Sequence, residues 1–294
     1  MRPKMKVGDV VILEADDSWI SRSIALLTDS SVSHAAMIYE PDRFIEMGLS
    51  GIGVHGFHED VKGRMAYIRR LSPERDTAPL VAVARGYLDE KVKYDMPSLF
   101  LLAGLLVYRH MRPTQRLGKI TGFILRKVCG ALDVLLNRIA NPGEAHLMVC
   151  SQLVYQCYHD CGSEYALRLH HGMLQDMNSA DGTIRLVDCL DGAVSDAAAP
   201  VTMEFASLSD DALAKALCEA LTESRDAAQP VLAAAQLGGV LGSARDFVAL
   251  VEKLLEKLDI DLPVEALFVT PADLLVHCEN LSDVCNCKLE YDGA

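Results

Sequence analysis

The stretch His146-Leu147-Met148-Val149-Cys150-Ser151-Gln152-Leu153-Val154-Tyr155-Gln156-Cys157 decides how this chain reads. After Cys150 the apolar residues fall at Leu153, Val154, Cys157 and Tyr158, the spacing of one helix face. Before it the run is short and apolar, with Pro142 and Gly143 upstream. Cys150 is therefore predicted to be the first residue of a helix that enters a core and runs to about Cys161. A thiol in that position feels unpaired N–H groups and the positive end of the helix dipole, which favour the nucleophilic thiolate. The plain alternative is a packed cysteine, since cysteine is among the most buried residue types.

A nucleophile needs a base, and the chain offers one far upstream. His34 lies in the strand-like run Ser31-Val32-Ser33-His34-Ala35-Ala36-Met37-Ile38-Tyr39. After a turn at Pro41-Asp42-Arg43, Glu46 lies in a second strand-like run, Phe44-Ile45-Glu46-Met47. A Cys, a His and a carboxylate that holds the His form a nucleophile, base and orienting group. His34 also fits a satisfied core histidine, and Glu46 a solvent-facing strand residue. The small Ala35 and Ala36 leave room beside His34, and His55 in Gly53-Val54-His55-Gly56 is a rival base.

Around these residues the first third reads as a helix plus a strand meander, the composition of an α+β domain. Gly8–Leu13 is predicted as the first strand. Asp17 is predicted to cap a short helix from Ser18 to about Leu27. Arg64–Leu71 is a weakly alternating strand, and Thr77 or Pro79 opens a helix to about Lys91. Tyr94 and Asp95 border the cleft or simply turn the chain at that helix end. Residues 96–140 read as two helices broken near Arg112-Pro113, Thr183–Asp188 as a strand, and 209–258 as Ala- and Leu-rich helix. Thr270-Pro271-Ala272-Asp273 has the arrangement of a capped helix start.

At 294 residues, half of them hydrophobic, the chain can bury a sizeable core. Its formal charge of −13 argues against nucleic acid as a partner. The basic start, Arg2, Lys4 and Lys6, is not followed by an apolar run of signal-peptide length, and the longest apolar run, Leu99–Tyr108, is too short to span a bilayer. A cytoplasmic protein is expected. Nine scattered cysteines suit reduced thiols better than a disulfide framework. Cys157-x-x-x-Cys161 with His159, and the loose set His277, Cys278, Cys285 and Cys287, have poor spacing for zinc, so neither metal nor cofactor is expected. Charge is uneven: residues 96–143 carry about +6 among apolar residues, and the rest about −19. That stretch is either a solvated helical face or an interfacial pair contacting anionic lipid, a possible peripheral membrane contact.

The ordered pieces Gly8-Asp9-Val10-Val11, Ser33-His34-Ala35, Ile45-Glu46, Tyr94-Asp95, Cys150-Ser151-Gln152-Leu153-Val154-Tyr155 and Val269-Thr270-Pro271-Ala272-Asp273-Leu274 resemble the circularly permuted NlpC-like cysteine hydrolases, in particular the YiiX/YebB-like branch. The resemblance implies an α+β, papain-like core with the Cys-bearing helix after the antiparallel sheet. That core would take residues 1–190 and 265–294, with a basic helical insertion at about 96–143 and a helical elaboration at 191–264. It also implies Cys150 as nucleophile, His34 as base and Glu46 as orienting carboxylate, with Tyr94, Asp95 and Gln152 near the substrate. The implied reaction is hydrolysis of an amide in a peptide or cell-wall fragment. Gln152 stands where the family more often has an acid. The lecithin:retinol acyltransferase-like proteins resemble this arrangement too, which keeps open a thiol acyltransferase or lipid hydrolase with a lipid-like substrate. A non-catalytic binding module is the third reading.

Overall fold

The computed structural model describes residues 5–18, 21–22, 24–25, 28, 30–57, 63–94, 147–170 and 269–288, with Ala212, Lys215, Ala216 and Glu219 as isolated positions. The expected insertion at 96–143, the elaboration at 191–264 and the strand at Thr183–Asp188 lie outside the described residues, apart from those four positions.

Val10–Glu14 forms strand β1, and its run Val10-Val11-Ile12-Leu13 is buried on both faces. A continuous apolar run suits the middle of a sheet covered on both sides. Val32–Glu40 (β2) and Met65–Leu71 (β5) pair with β1 on either side. Arg43–Gly48 (β3) and Gly51–Gly56 (β4) extend the sheet beyond β2 as a hairpin turned at Leu49-Ser50. Leu281–Lys288 (β8) closes the other edge against β5. The result is an α+β fold with a six-stranded antiparallel sheet in the order β4-β3-β2-β1-β5-β8. Two short strands, Lys93–Tyr94 (β6) and Leu147–Met148 (β7), make a separate parallel pair.

The period-two alternation gives the sheet two buried faces. Val10, Ile12, Ala35, Met37, Ile45 and Met47 pack under two helices, Ala78–Glu90 (α1) and Cys150–Asp160 (α2). Val11, Leu13, Ala36, Ile38, Phe44, Ala66 and Ile68 pack with Phe57 on the opposite face. Helix α1 buries Leu80, Ala84 and Tyr87, an i, i+4, i+7 stripe, and begins after Thr77 with proline in its first turn as expected. Helix α2 is tied at both ends. The Ser151 hydroxyl donates to the Val269 carbonyl at 2.7 Å, and the Tyr158 hydroxyl, fully buried, donates to the Gly8 carbonyl.

Three local expectations changed. The helix after β1 is present at residues 21–22 and 24–25, but its cap is Ser18 rather than Asp17. Ser18 Oγ accepts the Ser21 N–H at 3.2 Å, because Asp16 Oδ1 already holds the Ser18 N–H at 2.8 Å and sets the turn one residue later. Strand β4 was not legible, since glycines at 51, 53 and 56 erase strand propensity. Strand β8 was not legible either. Its cysteines were read as a loose cluster, yet they lie on an edge strand held by Arg69, which reaches Asp283 at 2.8 Å and Asn286 at 3.0 Å. The Thr270 start was legible: Thr270 Oγ1 accepts the Asp273 N–H at 3.1 Å while Asp273 Oδ2 accepts the Thr270 N–H at 2.8 Å. The turn that follows, Asp273–His277, is π-helical.

Asp9 fastens the start of β1. Its carboxylate is fully buried and accepts a forked pair from Arg70, Nε at 2.6 Å and Nη2 at 2.7 Å, plus the Lys6 N–H at 2.8 Å. Such a pair is costly to break one-sidedly, because the remaining charge stays partly buried. Asp9→Ala is expected to destabilise the protein by about 2–3 kcal/mol, read as a lower urea midpoint at unchanged slope. A shift below about 0.5 kcal/mol would mean that Arg70 finds water without cost.

Candidate functional site

Helix α2 begins at Cys150 because the residue before it stops being helical: Val149 is extended, with φ −93° and ψ 169°. Its N–H, which the helix cannot satisfy, donates to Gln152 Oε1 at 2.9 Å. This is the side-chain-to-backbone half of a capping box, in which Gln serves as well as Glu. Gln152 is buried in this role. Its carbonyl oxygen orients the turn that carries Cys150, so it acts on the helix start rather than standing open to solvent.

Sheet register sets His34 beside Glu46. Leu13 of β1 lies beside His34 of β2, and Ala36 of β2 lies beside Glu46 of β3. His34 and Glu46 therefore sit diagonally on one face, and their side chains meet: His34 Nε2 lies 2.5 Å from Glu46 Oε2. With Nε2 taken by the carboxylate, Nδ1 is the ring nitrogen left for sulfur, and the Cys150 thiol hydrogen-bonds to the ring. Backbone N–H groups of Ala35 and Ser151 also reach the sulfur. Cys150 is only 4% exposed, while the side chains of His34 and Glu46 are 20% and 17% exposed. The group is sheltered but opens to one side.

The electrostatics follow from this packing. Burial by itself would push the Cys150 thiol up and the His34 ring down. The paired charges outweigh it. The imidazolium and the two N–H groups hold the Cys150 thiol below its ordinary value, and thiolate and carboxylate together raise His34 to about 10. Burial also works against the Glu46 carboxylate, yet His34, His55 and Arg64 keep it below the usual range. Each partner thus moves the other toward its charged form, thiolate and imidazolium, with the carboxylate behind the ring. Cys157, two turns along the same helix, has no cation acting on it among the described residues. It is 1% exposed, and burial moves its thiol far upward. Burial likewise pushes Cys161, Cys278 and Cys285 up to about 11.

The remaining expected residues divide. Tyr94 lies on β6 beside Met148, two residues before Cys150, so the β6–β7 pair brings it to the helix start. Asp95 lies outside the described residues. His55, the rival base, approaches Glu46 rather than sulfur, with Nε2 3.7 Å from Oε1. Gly53 makes room for it, since a Cβ there would lie 2.5 Å from His55 Nε2. Sequence reading missed Arg64 as a site neighbour. The cysteines among the described residues are all free thiols, and no group of three His, Cys, Asp or Glu side chains there could hold a metal ion. No helix among the described residues is long and apolar enough to cross a membrane. This chain matches no family model, no curated protein and no solved structure in comparison with them.

The pairing has a direct chemical consequence. Cys150 should be alkylated by iodoacetamide at about pH 6, where an ordinary thiol is almost wholly protonated. The rate should stay level up to about pH 10, where His34 loses its proton, and fall in acid as the thiolate is protonated. His34→Ala removes the cation and leaves burial to dominate, so labelling at about pH 6 should drop more than about tenfold. Glu46→Gln should cost less, because the ring keeps its charge and loses only its anchor. Equal Cys150 labelling in folded wild type and His34→Ala would end the pairing.

Proposed function

We propose that this chain is a cysteine hydrolase that cleaves an amide bond through a thioester acyl-enzyme, on a permuted papain-like core of the YiiX/YebB-like, NlpC-like type. The observation that carries the reading is the Cys150 thiol paired with a His34 ring that Glu46 anchors at 2.5 Å. Nucleophile, base and orienting group stand in hydrogen-bond sequence, the arrangement that covalent catalysis requires. The order of elements supports the core assignment: the His and Glu strands come first, and the Cys helix follows the sheet.

In this mechanism His34 holds the proton of Cys150, and the thiolate attacks the substrate carbonyl carbon. The carbonyl oxygen becomes an oxyanion, for which the Cys150 N–H at the first helical position supplies one donor. The imidazolium gives its proton to the departing nitrogen as the carbon–nitrogen bond breaks, leaving an amine and a thioester. His34 then takes a proton from water, hydroxide adds to the thioester, and the acid leaves as the thiol is regenerated. Glu46 keeps the ring in the one orientation that serves both steps. A peptide or cell-wall-like amide fits this chemistry, and a cytoplasmic setting fits its free thiols.

Acyl transfer shares every step up to the thioester and differs only in the acceptor. The apolar and basic sequence of residues 96–143 favours that second reading, with a lipid-like acyl donor reached by peripheral membrane contact. A panel of N-acyl amides, peptides and acyl lipids tests both. Wild type is expected to show an acyl adduct on Cys150 by intact mass, and Cys150→Ala to lose turnover by about a thousandfold or more. Release of acid in water supports hydrolysis, and preference for an added amine or alcohol supports transfer. Full turnover by Cys150→Ala removes both and leaves a binding module.

A further inference from the structure

Arg64 immediately precedes β5, and alternation places it on the face of Ala66. Ala66 lies beside Leu13, and Leu13 lies beside His34. Leu13, Ala36 and Ala66 belong to one buried face, the face that His34 and Glu46 share at the same end of the sheet. Arg64 is thus a cation near the face of His34 and Glu46, two strands from His34.

Its guanidinium is fixed and incompletely used. Nε donates to the Glu14 carbonyl at 2.7 Å, and Nη1 lies 3.4 Å from Asp16 Oδ2. Nη2 is buried and has no hydrogen-bond partner among the described residues. The Glu46 oxygens are already engaged, Oε2 by His34 and Oε1 toward His55. A buried N–H donor without an acceptor is unfavourable and rare in folded proteins, so it calls for an explanation. The side chain as a whole is 17% exposed while Nη2 itself is covered, so the guanidinium borders solvent and an incoming group reaches Nη2 only as its cover shifts. Burial opposes the charge of Arg64, while Asp16, Glu46 and Cys150 all act to retain it, so the thiolate lies within its electrostatic reach.

We propose that Arg64 determines specificity by binding, through its guanidinium, a carboxylate that the substrate carries beside the amide attacked by Cys150, which would supply the acceptor that Nη2 lacks. The inference rests on Cys150 as the nucleophile. A chain of charge −13 repels anions as a whole, and a pre-positioned guanidinium fork reverses that locally. Because Glu14 and Asp16 already hold two of its nitrogens, little side-chain freedom is lost when an acceptor arrives.

Iodoacetate and iodoacetamide test this without the natural substrate. Both form a carbon–sulfur bond at a thiolate and release iodide, and they differ in carrying a carboxylate or an amide. The reading is the ratio of their alkylation rates at Cys150, by peptide mass at neutral pH and low salt. Arg64→Gln should lower the iodoacetate-to-iodoacetamide ratio about tenfold, the worth of one charge-assisted hydrogen bond, and Arg64→Lys should restore part of it. In unaltered protein, excess N-acetylglycine should slow iodoacetamide labelling of Cys150 more than N-acetylglycinamide does. That arm does not depend on any variant folding. A ratio unchanged by both substitutions, or equal protection by acid and amide, overturns the carboxylate role while leaving the nucleophile in place. Failure of iodoacetamide itself to label Cys150 removes the nucleophile, and this inference with it.

Discussion

A buried thiol paired with an imidazole, each moved toward its charged form by the other, sets the terms for the rest of this structure. Each charge alone would be expelled from so buried a place, or neutralised there. Together they persist only while the sulfur, the ring and the carboxylate behind it keep their spacing. That spacing spans three separate elements: the start of α2, the middle of β2 and the neighbouring strand β3. Much of the remaining polar bonding serves to hold those elements. Gln152 closes the turn before Cys150, Ser151 ties the helix to Val269, and Tyr158 ties its far end to Gly8. Asp9 and Arg70 then lock the strand on which the base's strand is registered.

The two buried cysteines of α2 show how little of this is intrinsic to the residue. Cys150 and Cys157 belong to one helix and one apolar cluster. Burial, with Cys161 and Asp160 adding to it, displaces the Cys157 thiol far upward. Cys150 is nearly as buried, and its thiol moves the other way because His34 and two backbone N–H groups meet it. Reactivity is therefore decided by what faces the sulfur, not by depth. The carboxylate shows the same logic, with Glu46 between two histidines and its charge retained despite desolvation.

The Cys150, His34 and Glu46 set was legible because each member carries a local signature. An apolar 3.6-residue stripe begins right after Cys150, and His34 and Glu46 lie on strands with buried neighbours. The same holds for the Thr270–Asp273 cap, a contact within four residues. Asp17 failed as a cap because its neighbours take the N–H groups there, Asp16 that of Ser18 and Ser18 that of Ser21. Strands β4 and β8 failed for a different reason. One is glycine-rich and the other polar and half exposed, so each exists because a neighbouring strand offers it a ladder.

By itself, the sequence determined a helix starting at Cys150, the strands bearing His34 and Glu46, and the Thr270–Asp273 cap, because these follow from periodicity and short-range hydrogen bonding. Only the tertiary structure decided that His34 and Glu46 stand diagonally at 2.5 Å, that His55 approaches the same carboxylate, and that Arg64 lies near them with one nitrogen unpaired among the described residues. Strand register and partner choice are long-range quantities. A shift of one residue in any of these strands would turn its side chain to the opposite face, and no local pattern in the chain records which pairing the folded core selects.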